Sequence, residues 1–193
     1  MTQTAVKKFS LEEYHRLAEI GFFQEDDRIE LIRGEIVKMV AKGTAHVFCC
    51  RNLIKELSLL IEDRAILQCQ DPITLPNNSE PEPDFTIARP REDRYLSHHP
   101  YPEDIILVIE ISDSSLEYDR AVKLPLYAEA GIPHYWIVNL LELQLEAYSN
   151  PYQKVRGDFD YSQRQILLPN SSIALPELGD RSLDLSRIFP KTA

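Results

Sequence analysis

The chain has 193 residues, 44% of them apolar and 27% charged, with 21 basic residues against 31 acidic ones for a net charge of -10. That length and balance suit one globular domain with its own core, and they exclude collagen-like, coiled-coil and disordered classes. The acidic surplus argues against a protein that coats nucleic acid by neutralising phosphates, but not against an enzyme whose carboxylates gather cations.

Residues 1–8 lack the apolar segment of a signal peptide. Apolar runs such as 105–109 fall far short of the roughly 20 residues that span a bilayer. A soluble, cytoplasmic protein with no membrane partner is expected. The adjacent Cys49 and Cys50 are badly placed to bridge each other, so with Cys69 they read as small buried hydrophobes in a reducing compartment.

Ser10 and Glu13 form a capping box ahead of Leu11, Tyr14, Leu17 and Ala18, which predicts a helix ending at Gly21. Residues 28–39 read as a hairpin about the two-residue turn Arg33-Gly34. Val47, Leu53, Ile54, Leu57, Leu60 and Ile61 give 44–63 the spacing of an amphipathic helix. A strand follows over 65–73, then an irregular, proline-rich stretch at 76–83, a short strand at 84–88 and a flexible insertion over 89–102.

Residues 105–111 are almost continuously β-branched and apolar, as in a strand covered on both faces. Ser114 and Ser115 offer N-caps for a helix to Ala130, closed by Gly131. A second buried strand at 135–138 would complete one right-handed crossover. A turn at Leu141-Glu142 leads to a strand over 143–148, then meander strands such as 165–168, then a terminal helical turn at 183–189. The fold class is α/β or α+β, a mixed central sheet flanked by helices, in a single domain over 1–193. Its core runs from about 10 to 148, with the meander and short helix at 149–193.

Glu110 is the most informative position, because a carboxylate among Ile, Leu and Val loses several kcal/mol on desolvation unless it is paired or bound to metal. Alternation puts it on one face with Ile106 and Val108, against Ile109 and Ile111. Its bland alternative is a strand-end carboxylate that meets solvent or an arginine. Asp84 follows Pro83 at the start of a strand, where Pro-Asp is also a common turn dipeptide. Lys123 shares a helix face with Tyr127 and either faces solvent or aims at the carboxylates. Glu30, between Ile29 and Leu31, is a further acid or an exposed hairpin residue. His46, near a helix start, is a ligand-bonding group or base, or a surface histidine.

Pro83-Asp84, Glu110-Ile111-Ser112 and Lys123 together resemble the PD-(D/E)XK nuclease pattern with its lysine displaced. Adding the hairpin 30–37, His46, the segment 119–123 and the run 127–138, the chain is similar to the Uma-type restriction-endonuclease-like family of bacteria over roughly residues 10–148. The resemblance implies a restriction-endonuclease-like core and a divalent-metal-dependent endonuclease that hydrolyses phosphodiesters, with DNA as substrate. Asp84 and Glu110 become metal ligands, joined by the Ile111 carbonyl and waters around Mg²⁺ or Mn²⁺. Lys123 becomes the site lysine because Ser112 stands where E-x-K nucleases place theirs, and Glu30 and His46 match the family's hairpin acid and helix-start histidine. A homodimer is a family-led expectation. Two competing readings are a non-catalytic binding or regulatory module of the same fold, and a metal-dependent hydrolase of another phosphoester.

Overall fold

The apolar run around residue 108 settles in the interior of a six-stranded sheet and dictates the layering on both sides of it. The computed structural model describes residues 6–24 and 27–191. A separate hairpin pairs β1 (Ile29–Ile32) with β2 (Glu35–Lys38). The main sheet has the order β3 (Ile66–Cys69), β4 (Phe85–Ala88), β5 (Ile105–Ser112), β6 (His134–Asn139), β7 (Gln144–Gln153) and β8 (Phe159–Leu167). Only β5 and β6 run parallel; every other neighbouring pair is antiparallel. The short strands β9 (Ser172–Ala174) and β10 (Ser182–Asp184) pair with each other.

The helices cover both faces. One core holds Cys49, Leu53, Leu57 and Ile61 of the helix α2 (Thr44–Ile61) against Phe85, Ile109, Trp136 and Val138, and is closed by Leu183, Leu185, Ile188 and Phe189. The other packs the helices α3 (Leu116–Tyr118) and α4 (Leu124–Glu129) over Val108, Tyr135, Ile137 and Tyr148. All eight residues of β5 are buried, as a strand between two helical layers must be. The predicted mixed sheet flanked by helices is therefore the architecture observed. No helix among the described residues is long and apolar enough to cross a membrane.

Local predictions hold where the chemistry is short-range. The N-terminal helix α1 (Leu11–Glu19) has its capping box, with the Glu13 amide donating to Ser10 Oγ at 3.1 Å and the Ser10 amide to Glu13 Oε2 at 2.9 Å. Arg33 and Gly34 turn the first hairpin with φ of 50° and 79°, as a two-residue turn of the primed kind requires. A Cβ on Gly34 would also meet Lys8 and the Phe9 carbonyl at 2.9 Å.

Several segments differ from what the sequence predicts. The strand expected over 65–73 stops at Cys69, because Gln70 turns with φ of 60°. The stretch 76–83 is tied down by bridges from Leu75 to Ser79 and from Leu31 to Glu80. The insertion at 89–102 is anchored by Tyr95, which is buried and donates its hydroxyl to the Arg89 carbonyl at 2.8 Å. Asn139 pairs with Gln144, so the turn spans four residues rather than the two expected. β7 then runs on past Pro151, which is tolerated because β6 pairs with β7 only as far as Ser149. The expected strand at 165–168 is the far end of the nine-residue β8, and Leu183 lies on β10 with only 185–187 helical.

Two irregularities matter for the site. Ile87 pairs with Leu107 but Ala88 with Ile105, a bulge that sends Ile106 into the core opposite Val108. Glu110 therefore shares its face with Val108 but not with Ile106. The helix expected from Ser114 or Ser115 to Ala130 is broken by a π-helical turn, Asp119–Lys123, between α3 and α4. Pro125 in the first turn of α4 has no amide to donate backward, and a widened turn absorbs that loss.

Glu146 is an acid that the sequence reading passed over. It lies fully buried on β7, opposite Ile137. It accepts from Arg120, from Arg164 at 3.0 Å, from Tyr148 at 2.7 Å and from Asn139 at 2.9 Å. Burial works against its charge, but the Arg120, Tyr148 and Asn139 hydrogen bonds outweigh it and hold the carboxyl down at about 2. Because the folded value lies below the ordinary 4.5, the stabilisation is complete above that pH and disappears as pH falls towards 2. Glu146→Gln should lower stability at neutral pH by about 1 to 2 kcal/mol, discounted for the part-exposed arginines, and flatten the fall in melting temperature between pH 4.5 and 2.

Candidate active site

The five residues singled out from sequence form one continuous chain of contacts. Glu30 Oε2 lies 3.2 Å from the Lys123 ammonium, which donates to Glu110 Oε1 at 2.9 Å. The other oxygen of Glu110 accepts from the Asp84 amide at 3.3 Å, and Asp84 Oδ2 lies 3.0 Å from His46 Nε2. All five are buried. They line one cleft of about 250 Å³, together with Ile111, Lys42 and Tyr118.

Each side chain arrives by its own element. Asp84 immediately precedes β4, which pairs antiparallel with β5 and so places it beside the Glu110 end of that strand. The Ile111 amide, facing back across the pair, donates to Asp84 Oδ2 at 2.9 Å. Glu30 comes from β1, buried rather than on an exposed hairpin face. His46 sits in the first turn of α2, whose N-cap is Gly43 with no capping side chain.

Lys123 is not a surface lysine. It closes the π-helical turn, and with Tyr127 one turn later it converges on the same oxygen of Glu110, the tyrosine hydroxyl at 2.9 Å. Ser112 explains how the helix is aimed. Its hydroxyl donates to Asp119 Oδ2 at 2.6 Å, Ser115 donates to the same oxygen at 2.7 Å, and Asp119 begins the π-helical turn. The serine that replaces the expected lysine thus pins the helix that brings a lysine from the other side.

The electrostatics are those of charges kept from water. Burial pushes Glu110 up to about 8, with Lys123 pulling the other way and Asp119 and Asp84 adding to the rise. Burial also disfavours the Lys123 ammonium, but Glu110, Glu30 and Asp119 outweigh it and hold the lysine protonated well above its usual range. Asp84 is likewise opposed by burial, yet His46, Lys42 and the Ile111 amide hold it down at about 2. A second cation beside Glu110 would favour its ionised form.

Lys42, Gln70 and Asp119 complete the site and were not singled out from sequence. Lys42 Nζ lies 3.2 Å from Asp84 Oδ1, and Gln70 donates to the same oxygen at 3.3 Å. Lys42 sits four residues before His46, a spacing with no meaning until the helix start is known.

Among the described residues, no three His, Cys, Asp or Glu side chains gather into a ready metal cage. The donors present are the carboxylates of Asp84 and Glu110, with Ile111 beside them in the cleft wall. That sparse set of hard oxygens fits an ion such as Mg²⁺, which keeps several waters and takes one or two carboxylates. It does not suit a dehydrating cage or a thiolate site.

A family model described as Uma2, "Putative restriction endonuclease", matches residues 11–186 of the chain. Among solved structures, the chain is similar to the crystal structure of "a putative nuclease belonging to DUF820" from Anabaena variabilis ATCC 29413. The identity is 14% and the TM-score 0.72, over 94% of this chain and 97% of that one. No curated protein matches.

Tyr127→Phe should leave Lys123 as the sole side-chain donor to Glu110 Oε1 and lower stability by about 1 to 2 kcal/mol, read as a fall in the urea midpoint. An unchanged midpoint would mean that the ammonium alone satisfies the buried oxygen.

Proposed function

The chain belongs to the Uma2 family, and from that membership and the cleft geometry we propose that it is a divalent-metal-dependent endonuclease hydrolysing phosphodiester bonds, with DNA as the polymer. The observation that supports this most is the convergence of Asp84, Glu110 and Lys123 from three separate elements on one solvent-facing cleft. A purely structural ion pair would need neither the second carboxylate nor the opening.

The chemistry asks for three things, and each has a residue. Asp84 and Glu110 would hold Mg²⁺ or Mn²⁺ with the help of the Ile111 carbonyl. The ion would supply charge to the phosphate oxygens and lower the pKa of an attacking water. Lys123, kept protonated by its three acidic neighbours, would orient that water and stabilise charge developing on phosphorus oxygens. Glu30 also holds the ammonium, at 3.2 Å. His46 fixes the rotamer of Asp84 through its 3.0 Å contact. The N-terminus of α2, with no side chain capping it, opens to the same cleft and favours an anion there.

Asp84→Asn or Glu110→Gln should abolish Mg²⁺-dependent cleavage of supercoiled plasmid, and should weaken Mn²⁺ binding measured by calorimetry, while circular dichroism stays that of the folded chain. Wild-type rates in either variant would overturn the assignment. Lys123→Ala should lose about 10²-fold or more in rate with Mn²⁺ affinity little changed. A large loss of Mn²⁺ binding would instead give the lysine a structural role. Cleavage of small phosphodiesters without cleavage of DNA or RNA would favour a hydrolase of another phosphoester.

A further inference from the structure

We propose that the outer face of α2 binds one strand of nucleic acid and leads it into the cleft, with phosphates on Arg51 and Lys55 and an unpaired base against Phe48. The proposal deepens the nuclease reading and rests on it for the direction in which the strand runs.

The charge pattern is the first ground. In a chain with a net charge of -10, residues 36–55 contain Lys38, Lys42, Arg51 and Lys55 and not one Asp or Glu. Such a run is where a polyanion can approach an otherwise acidic protein. Arg51 and Lys55 are exposed and have no ion-pair partner among the described residues, whereas Glu56, the next charge along the helix, is held by Arg187 at 3.2 Å.

Helical geometry is the second. The inner face of α2 is spent on the core through Cys49, Leu53, Leu57 and Ile61. Thr44, Phe48, Arg51 and Lys55 recur at spacings of four, three and four, and so form one outward stripe. Phe48 is 46% exposed in the middle of it. An exposed aromatic ring followed on the same stripe by two free cations is what strand binding uses, since every base offers a face to stack on.

The third ground is continuity. Phe48, Arg51 and Asn52 line a hollow of about 360 Å³ together with Lys42, Thr44 and Val47. Lys42 is also a wall of the catalytic cleft, on Asp84. A strand lying in the hollow therefore meets the cleft without leaving the surface. Cations alone would equally suit an acidic peptide or an anionic membrane; the exposed ring and the Asn52 amide beside it favour a base, which presents both a π-face and hydrogen-bonding edges.

The test is fluorescence anisotropy of a labelled single-stranded DNA oligonucleotide and of its blunt duplex, in EDTA so that no cleavage intervenes. The single strand should bind tighter than the duplex. Arg51→Glu with Lys55→Glu should weaken it at least tenfold and reduce the slope of log affinity against log salt by about 1.4, for two phosphate contacts on a single strand. Phe48→Ala should weaken it about tenfold with the salt slope unchanged. Lys154→Glu with Arg156→Glu, on the β7–β8 turn that lines neither the cleft nor the hollow, should have no effect. Equal affinity for duplex, unaltered binding in the α2 variants, or an equal loss in the control would overturn the proposal. The two readings also fail separately. If the wild type ignores oligonucleotides yet hydrolyses bis(p-nitrophenyl) phosphate with Mn²⁺, the surface is refuted and the chemistry stands. If the α2 variants alone lose binding but no divalent ion elicits cleavage, the surface stands and the hydrolytic reading falls.

Discussion

A lysine ammonium and a glutamate carboxylate, sealed together between a strand and a helix, are the contact on which the rest of this structure turns. Glu110 lies in a strand with every residue buried, where an isolated charge would be untenable. Lys123 and Tyr127 meet one of its oxygens and the Asp84 amide meets the other. To reach it, the helix after β5 must cross the sheet at a set height and rotation. The Ser112–Asp119–Ser115 hydrogen bonds supply the height, and the π-helical turn before Pro125 supplies the rotation. Local irregularity here serves a long-range pairing.

Two buried acids in the same sheet show what separates a brace from a site. Glu146 is satisfied by two arginines, a tyrosine and an asparagine, and its carboxyl is held well below the ordinary range. Its partners are permanently charged or neutral donors, and the carboxylate that shares two of them, Glu142 on Arg120 at 3.7 Å and on Asn139 at 3.2 Å, is exposed. Glu110 instead has a single lysine that also serves Glu30, and burial, with Asp119 and Asp84 as acidic neighbours adding to it, pushes its carboxyl up to about 8. The first arrangement stores stability; the second, buried at the wall of a cleft, is short of positive charge, the condition under which a carboxylate pair takes up a cation.

Much of this was legible from residue order because the signals were local. The capping box, the Arg33-Gly34 turn and the apolar β5 run each depend on neighbours within a few residues. Glu110 stood out for the same reason, as a charge inside an apolar run. Glu146 did not, because its surroundings of Leu145, Ala147 and Tyr148 alternate like any half-exposed strand, and its arginines come from other elements. Alternation along β5 alone does not give the face of Ile106, because a bulge depends on the partner strand's register. The helix after Ser114 was read as continuous although Pro125 already marked the position that breaks its ladder. Gln70 and Lys42 stayed invisible because their roles exist only once β4, α2 and the β2–α2 connection are assembled.

Lys42 lines both the cleft and the hollow beside α2. Its side chain is 17% exposed, the most open of the groups that touch Asp84 by charge, and it stands on the connection between β2 and α2 rather than within a packed element. An ammonium and a divalent ion cannot both take full charge from the same carboxylate oxygen at close range, because like charges repel strongly in a cleft of low dielectric. Any ion that settles on Asp84 must therefore loosen Lys42, while His46 and the Ile111 amide, on the other oxygen, can stay where they are. The freed ammonium lies on the wall shared by the cleft and the α2 hollow. Arg51 lines that hollow too, with no ion-pair partner among the described residues, and an anion spanning the two would satisfy both. On the proposed function, cation binding at the carboxylates and anion binding along the helix would then favour each other through one side chain.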